Sequence, residues 1–478
     1  MKQFYKLSML MLALLLVEHA HAQQTFTLDQ CIDYALKNSV SVQNAMLDEQ
    51  IATAKVKETI GLGLPQISAS ASIVHNPKLS RFFTTYTGAG GFVGDLSGVP
   101  GIQVGDVIAA KNFFQLQSSG GASVTANQLL FNGSYLVGLQ ASSVYKDLAV
   151  KASQQTKEQI IQQVMKAYYG VLINRERMNL FANNIARVDS LLRTTKALNQ
   201  SGFAEAIDID RIQVALNNLL TERNKFLNLS NLGTELLKFQ MNYPMDQALE
   251  VAGSINEVQI DTNLDQYKEN WNYKDRPDYQ VLETNRRLQA LNVKNQYATF
   301  MPSLNAFATL GYSTQSPEIG GLFKTNSKIA DNGGLGPDKW YNYSQIGISL
   351  NVPIFSGFQR HYKLQQEKIA LQKVDNGFKV LKSGIDLEIK QSSLIFDNAI
   401  AALETQRANM DLASKVARVT KIKYEQGVGS NMEVIDAENS LRQAQTNYYG
   451  AMFDAVVAKI DLDKAYGKLL PTVANSTK

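Results

Sequence analysis

The sequence predicts a mainly α-helical protein that also contains membrane-spanning β-strands and is built from two internal repeats. Three observations predict this class. The chain of 478 residues has only ten prolines, it contains segments that alternate apolar and polar residues, and its landmarks occur twice. Stretches rich in Ala, Leu, Gln and Lys are typical of extended helices.

The landmarks of the first half recur in the second half at nearly constant spacing. Phe131-Asn132-Gly133 matches Phe355-Ser356-Gly357, 224 residues later. "SGFAEAIDIDRIQVAL" matches "QGVGSNMEVIDAENSL", with Gly202 over Gly427, 225 residues later. Each repeat is therefore predicted to contain a helix, a β-hairpin, a long helix and a further helix. The first structural repeat covers residues 23–252, and the second covers residues 253–478.

Residues 1–22 are predicted to be a secretory signal peptide. Lys2 and Lys6 precede an apolar run, and Ala20-His21-Ala22 forms a small-residue cleavage site before Gln23. The apolar run is too short to cross about 30 Å of hydrocarbon, so an N-terminal membrane anchor is the weaker alternative. We therefore expect an exported protein whose mature chain begins at Gln23.

Charge and residue usage exclude several classes of function. The formal net charge is +4, and it falls to +3 when two lysines and one glutamate leave with the signal peptide. Such a balance predicts no nucleic-acid partner. The single cysteine, Cys31, is expected to be a packed core thiol. His75 and His361 are the histidines of the mature chain, so we expect no metal site, no cofactor and no enzymatic activity.

Four segments alternate apolar and polar residues with the period of a β-strand. They are residues 67–73, 122–127, 304–312 and 346–352. Each lies in a stretch of about ten residues, the length that a tilted strand needs to cross a bilayer. A soluble hairpin packed by one face is the alternative, but loops 82–117 and 314–342 are long and Gly-rich, as in outer-membrane barrels. Aromatic residues near the strand ends are expected to form a girdle: Phe82, Phe83, Tyr86, Trp340, Tyr341 and Tyr343.

Two long stretches, Gly133 to Gly202 and Gly357 to Gly427, are predicted to be uninterrupted helices. Their apolar residues recur at spacings of four and three, the period of a coiled-coil seam. About 69 residues at 1.5 Å each correspond to a rod of about 100 Å. The seams are Phe181, Ile185, Val188 and Leu192 in one stretch, and Val374, Phe378, Leu381, Ile385 and Ile389 in the other. Shorter helices are predicted at residues 28–60, 206–241, 277–298 and 433–468.

The segment "TLDQCIDYALKNSVSVQNAMLDEQIATAKVKETIGLGLPQIS", residues 27–68, closely resembles the opening motif of the TolC-like outer-membrane efflux proteins. The two repeats and their G-x5-[DE]-[VI] turns extend the resemblance over nearly the whole mature chain. The resemblance implies a homotrimer in which four strands per chain form a trimeric 12-stranded outer-membrane β-barrel. This barrel would continue into a long periplasmic α-helical coiled-coil barrel that ends in a closable aperture.

The resemblance also implies a function, that of an outer-membrane exit duct in a tripartite efflux or type I secretion system. The implied partners are a periplasmic adaptor (a membrane fusion protein), an inner-membrane pump such as an RND or ABC transporter, and outer-membrane lipid. Four strands cannot close a barrel around a pore, so the strands by themselves require an oligomer. A secreted periplasmic coiled-coil scaffold is one alternative, but it would not need the strands. A helical enzyme is another, but the sequence shows no group of polar residues that could form an active site.

The resemblance places the aperture and the adaptor contacts at the two helix tips. Glu433 and Asp436 match the family's acidic constriction and lie three residues apart on one helix face. Threefold symmetry would turn them into rings of carboxylates that select cations. Asp208 is the counterpart of Glu433, and Tyr424 is expected to contribute a hydrogen bond. Gly429 stands where some members have a basic residue, so no salt-bridge latch is expected there. The implied adaptor-contacting residues are Gly202, Phe203, Ala204, Gly427, Val428, Gly429 and Ser430.

Overall fold

The structure, a computed structural model, describes residues 25–88, 93–112, 114–263, 267, 269, 271–324, 327–328, 335–336 and 340–470. The predicted signal peptide, residues 1–22, lies outside the described residues. The chain forms two compact units. The helical unit contains the described parts of Met1–Thr53, Val144–Gln289 and Ile369–Lys478, and the sheet unit contains those of Ala54–Ser143 and Ala290–Lys368.

Most of the described chain is α-helical, and both long predicted helices are confirmed. No described helix has both the length and the apolar character that crossing a membrane demands. The helices are α1 (Leu28–Asn38), α2 (Val40–Gly61), α3 (Gly133–Gln200), α4 (Ala206–Met241), α5 (Pro277–Ala298), α6 (Gln359–Glu425) and α7 (Asn431–Ala465).

The prediction of one helix over residues 28–60 was wrong, because α1 and α2 are separated at Ser39. Ser39 is extended (ψ 125°) and its N–H donates to the Ala35 carbonyl, which ends α1. Its own carbonyl accepts from the Gln43 N–H at 2.9 Å and so starts α2. The break frees the Asn38 carbonyl, which accepts from Asn242 Nδ2 at 2.9 Å. Asn and Ser favour helix ends over helix interiors, and this explains the break.

The described strands pair in four groups. β10-β7-β5-β2 form one antiparallel sheet, in which β2 and β10 are the edges. β1 pairs with β6 in parallel, and two short hairpins join β3 to β4 and β8 to β9. The strands are β1 (Thr25–Phe26), β2 (Gln66–His75), β3 (Phe82–Thr85), β4 (Val107–Ala110), β5 (Ser118–Asn132), β6 (Glu250–Val251), β7 (Ser303–Ser316), β8 (Ser327–Lys328), β9 (Leu335–Gly336) and β10 (Tyr341–Asn351).

The four-stranded sheet confirms the predicted alternation and has one polar and one apolar face. On the polar face Ser70 Oγ lies 3.2 Å from Ser123 Oγ, and Thr125 Oγ1 lies 3.1 Å from Thr309 Oγ1. In a single chain the side chains of the apolar face are exposed, and Ile346 on this face is 84% exposed. A globular protein would cover such a face with a second layer. Other apolar side chains on it are Ile67, Val124, Leu310, Ile348 and Leu350.

The loop predicted over residues 82–117 contains the hairpin β3–β4, which the sequence analysis missed. Phe82 pairs with Ala110 at the open end of this hairpin. The predicted aromatic girdle was wrong for Tyr86, which is only 3% exposed and forms the core of the loop. Its hydroxyl accepts from the Leu96 N–H at 2.9 Å. Tyr343 also departs from the prediction, since its ring covers Gly311 across the strand pair on the polar face.

The helical unit has a core in which both predicted seams take part to different degrees. In α3, Phe181, Val188 and Leu192 are buried, and they pack with Ile212 of α4. In α6, Ile385 is 1% exposed, whereas the other predicted seam residues are half-buried. One chain therefore covers the α3 seam more completely than the α6 seam.

Cys31 is confirmed as a core thiol, with no exposed surface. Burial raises the pKa of its thiol to about 12, so the reactive thiolate makes up about one part in ten thousand at pH 8. We expect a disulfide reagent at pH 8 to label Cys31 only after the protein is denatured. The Ser201→Cys variant, which places a thiol on an exposed turn, is the matched control. Equally fast labelling of the native protein and of this control would contradict the assignment.

Candidate functional site at the helix tips

The two tip turns, between α3 and α4 and between α6 and α7, end their long helices with the same backbone motif. In the first, the Gly202 and Phe203 N–H groups donate to the Asn199 and Leu198 carbonyls at 3.0 and 2.8 Å. This is the Schellman pattern, in which a residue in the left-handed conformation stops the helix.

The second tip repeats these bonds 225 residues later. The Gly427 and Val428 N–H groups donate to the Tyr424 and Lys423 carbonyls, both at 3.0 Å. Gly202 and Gly427 have φ of 79° and 74°, which glycine adopts without a steric penalty. Glycine occurs at these two positions because each helix ends there with a residue in the left-handed conformation.

Each tip turn exposes one large apolar side chain among polar ones. Phe203 is 82% exposed and Val428 is 78% exposed. Gly429 is confined, because a Cβ there would lie 3.1 Å from Lys423 Cβ and from the Tyr424 nitrogen. Phe203 and Val428 are therefore the large apolar side chains that the two turns offer to another protein.

The structure places Glu433 and Asp436 on one exposed face of the first turns of α7. The Glu433 N–H donates to Ser430 Oγ at 3.2 Å, so Ser430 caps the helix. The intervening Val434 is buried, as is Ala437. This burial pattern agrees with the predicted helix face and leaves both carboxylates accessible.

Asp208, the first-repeat counterpart of Glu433, has a local structural role at the start of α4. Its carboxylate accepts from the Glu205 N–H at 3.4 Å and pairs with Arg211 at 3.5 Å. Its carbonyl accepts from Asn431 Nδ2 at 3.1 Å, which joins the two tips. Asn431 is 5% exposed, and the sequence analysis did not identify it. Its only sequence signal is its place directly after the Ser430 cap.

Tyr424 also contacts the other half of the chain. Its hydroxyl lies 2.8 Å from Thr195 Oγ1, and Thr195 is fully buried. This bond links the C-terminal turns of α3 and α6. The hydrogen bond that was expected of Tyr424 is therefore made within one chain.

Two ion pairs between helices were missed as well. Arg187 Nε of α3 lies 3.0 Å from Glu438 of α7, and Arg442 Nη1 of α7 lies 2.6 Å from Glu222 of α4. A groove of about 750 Å³ runs between α4 and α7 beside the second pair. Its lining includes Asp436, so one predicted aperture residue lies at the edge of a preformed groove.

Further along the helical unit, a clamp of charged side chains joins α5, α6 and α7. Arg276 is 6% exposed. Its Nη2 lies 2.8 Å from Asp278, and its Nη1 lies 2.8 Å from Glu388. Nη1 also donates to the Ala465 carbonyl at the end of α7, at 3.0 Å. One guanidinium therefore holds three helix segments together.

Glu158 of α3 is 5% exposed and interacts electrostatically with the charged residues of this clamp. Its Oε1 has no hydrogen-bond partner among the described residues. Burial raises the pKa of Glu158 to about 7; the positive charges of Arg276 and Lys464 oppose the rise, and Asp278 and Glu388 add to it. Glu158 is thus a buried acid that changes its charge near neutral pH.

Comparisons with known proteins agree with this architecture. Residues 273–468 match the family model described as outer membrane efflux protein. The chain is 25% identical over 329 residues to the probable efflux pump outer membrane protein TtgC of Pseudomonas putida. That alignment covers 66% of this chain and spans 62% of the length of the relative.

Two solved structures share the fold. The outer membrane protein VceC of Vibrio cholerae superposes with a TM-score of 0.68 at 14% identity, over 92% of this chain and 96% of that one. The MtrE outer membrane channel of Neisseria gonorrhoeae, in its open state, gives 0.68 at 19% identity, over 92% and 89%. At these identities the likeness shows the fold. Together with the family match over residues 273–468, it confirms the resemblance seen in the sequence, which is to the outer membrane efflux proteins.

Proposed function

We propose that this protein is the outer-membrane exit duct of a tripartite efflux or type I secretion system and conducts substrates passively. One observation carries the proposal: the four-stranded sheet exposes an apolar face, and neither edge strand, β2 or β10, has a second strand partner among the described residues. In lipid, unpaired backbone groups at a sheet edge are not tolerated. A membrane sheet with two open edges therefore needs further copies of itself.

Three copies would close these edges. With four strands each they would give a 12-stranded barrel, in which β2 of one chain pairs with β10 of the next. The polar face, rich in Ser, Thr and Asn, would line the lumen, and the apolar face would contact lipid. Repetition of the order helix, hairpin, long helix, helix supports the division into repeats at residues 23–252 and 253–478.

The similarity to outer membrane efflux proteins supports the location and the partners. The Pseudomonas relative is named as an outer membrane protein of an efflux pump, which supports an outer-membrane location with a large periplasmic portion. An adaptor of the membrane fusion protein type and an inner-membrane pump, RND or ABC, would complete the assembly. The duct itself would be no enzyme, since transport energy would come from the pump.

The aperture would lie at the tips. Glu433 and Asp436 are exposed on one face, so three copies would give two rings of carboxylates that attract cations. Tyr424 and Asp208 would contribute differently, because they bind Thr195 and cap α4 within one chain. The bond between Tyr424 and Thr195 would hold the long helices α3 and α6 together at the tips in the resting state, whereas the Asp208 cap would stabilise only the start of α4.

The secreted scaffold is the second function considered. A soluble scaffold would have to keep side chains such as Ile346 and Ile348, 84% and 68% exposed on one face of the sheet, in water. Contiguous exposed apolar surface of this kind marks a contact with lipid or protein. The sheet thus favours the duct over the scaffold.

Fractionation of cells followed by mass measurement tests the proposal. The protein should be found in the outer-membrane fraction, require detergent for extraction, and have three times the mass of a chain that begins at Gln23. Recovery as a soluble periplasmic monomer would contradict it.

A further inference from the structure

Three cationic residues lie in the loop that follows one end of the four-stranded sheet. The last rung of β2 and β5 pairs His75 with Ser118, and the chain then leaves the sheet for the loop that contains β3 and β4. Lys78, Arg81 and Lys111 lie in this loop within seven residues of a sheet strand along the chain, and all three are exposed. We call these three residues the basic foot.

The hairpin β3–β4 holds two members of the basic foot side by side. Phe82 pairs with Ala110 in the terminal rung of the hairpin. Arg81 immediately precedes this rung and Lys111 immediately follows it, so both flank the same end of the ladder. Arg81 Nη1 donates to the Ala109 carbonyl at 3.0 Å, which fixes the guanidinium beside the strands.

The acids of the same loop are engaged elsewhere. Residues 76–117 contain two carboxylates, Asp95 and Asp106. Asp95 Oδ1 accepts from the Ser97 N–H at 2.8 Å, and Asp106 Oδ2 accepts from the Gln103 N–H at 2.7 Å. In the described part of the chain no ion pair joins a carboxylate to the basic foot. These exposed charges are therefore available to an anionic ligand.

Exposed aromatic rings accompany the cations. Phe83 is 73% exposed and Phe114 is 64% exposed, and the Phe114 ring packs edge-on against Phe82 with centroids 6.0 Å apart. Cations beside aromatic rings at the end of a membrane element are typical of anchors in the headgroup layer. In the described strands, the polar face of the sheet, which is neutral, has no such pairing of cations with exposed aromatic rings.

We propose that the basic foot, with Phe83 and Phe114, binds the phosphate groups of glycolipid headgroups in the outer leaflet of the outer membrane. The inference rests on the proposed function, which puts this end of the sheet at the cell surface. Guanidinium and ammonium groups would donate charge-assisted hydrogen bonds to phosphate oxygens. The rings would lie among the headgroups and hold the loop against the membrane.

Lipid A provides the probe, because it can be used with and without its phosphates. The purified full-length trimer in detergent is titrated with diphosphorylated lipid A, and bound lipid is counted by native mass spectrometry. We expect the variant Lys78→Gln, Arg81→Gln, Lys111→Gln to bind on the order of 100-fold more weakly, about five-fold for each cation. The control variant Lys363→Gln, Lys373→Gln, Lys379→Gln removes three exposed charges from α6 and should bind as wild type does.

Three results would overturn the inference. They are unchanged binding by the basic-foot variant, equal binding of dephosphorylated lipid A by wild type, and loss of the trimer in the variant with lipid binding intact, which would make the foot a contact between copies. Failure of the proposed function has a different signature. A wild-type protein that is soluble or does not conduct would refute the duct, whereas the basic-foot variant should remain a conducting trimer.

Discussion

Replacing Glu158 by Gln is expected to raise the free energy of unfolding at pH 8 by about 3 kcal/mol. This value corresponds to the rise in the pKa of Glu158 from 4.5 to about 7 on folding. Because the pKa of Glu158 is higher in the folded state, the folded protein binds more protons than the unfolded chain between these values. Below pH 4.5 Glu158 is protonated in both states and does not reduce the free energy of unfolding. As the pH rises from 4.5 through 7, the free energy of unfolding falls. The neutral amide carries no such dependence.

Thermal unfolding in detergent at pH 5 and pH 8 measures the effect. From pH 5 to pH 8, wild type should lose about 2.5 kcal/mol more stability than Glu158→Gln does. At pH 5 the variant should be more stable by only about 1 kcal/mol, because pH 5 lies just above the unfolded-state pKa of 4.5. Glu404→Gln, at an exposed position of α6, is the control for removing a carboxylate and should follow wild type. If Glu158→Gln keeps the full pH dependence, Glu158 is not the titrating group.

The second large effect is expected at the tips, where the double variant Phe203→Glu, Val428→Glu should abolish efflux. Both side chains are more than three-quarters exposed, at 82% and 78%, so folding should not depend on them. Charge at the centre of an apolar protein contact typically costs 2 kcal/mol or more per residue, about a 30-fold loss of affinity each. Efflux is measured in cells that hold the cognate adaptor and pump, at equal amounts of outer-membrane trimer.

Val104→Glu is the matched control, because Val104 is 71% exposed but lies in the loop of the sheet unit. It should export as wild type does. These variants are preferable to bulky replacements of Gly427 or Gly429. Gly427 has a φ of 74°, and a Cβ at Gly429 would press on Tyr424, so both changes would distort the turn itself. Normal export by the Phe203, Val428 variant would mean that the tips are turns only.

Periodicity explains how much of this fold the sequence could predict. The strands β2, β5, β7 and β10 alternate because one face is apolar, and α3 repeats at 3.5 residues because its seam is buried. The break at Ser39 escaped prediction, because residues on both sides of it favour helix and only the Asn38-Ser39 pair signals a boundary. The hairpin β3–β4 escaped as well, since each of its strands has only four residues.

The site residues could be predicted only where a local sequence motif marks them. Glu433 and Asp436 follow a turn motif, and their exposure agrees with the pattern. The bond from Tyr424 to Thr195 joins residues 229 positions apart, and nothing in either local sequence specifies the partner. The same holds for Arg187 with Glu438 and for the buried Glu158, whose environment is assembled from several helices.

Single-channel recording in a planar bilayer tests the central claim, that this chain forms a conducting duct with a carboxylate aperture at the second tip. Wild type should conduct, prefer cations and be blocked by trivalent cations. The double variant Glu433→Gln, Asp436→Asn should still conduct but lose both the preference and the block. The control Glu404→Gln, Asp411→Asn makes the same charge change at exposed sites of α6 and should behave as wild type. No conductance by wild type, or unchanged preference and block in the aperture variant, would contradict the account.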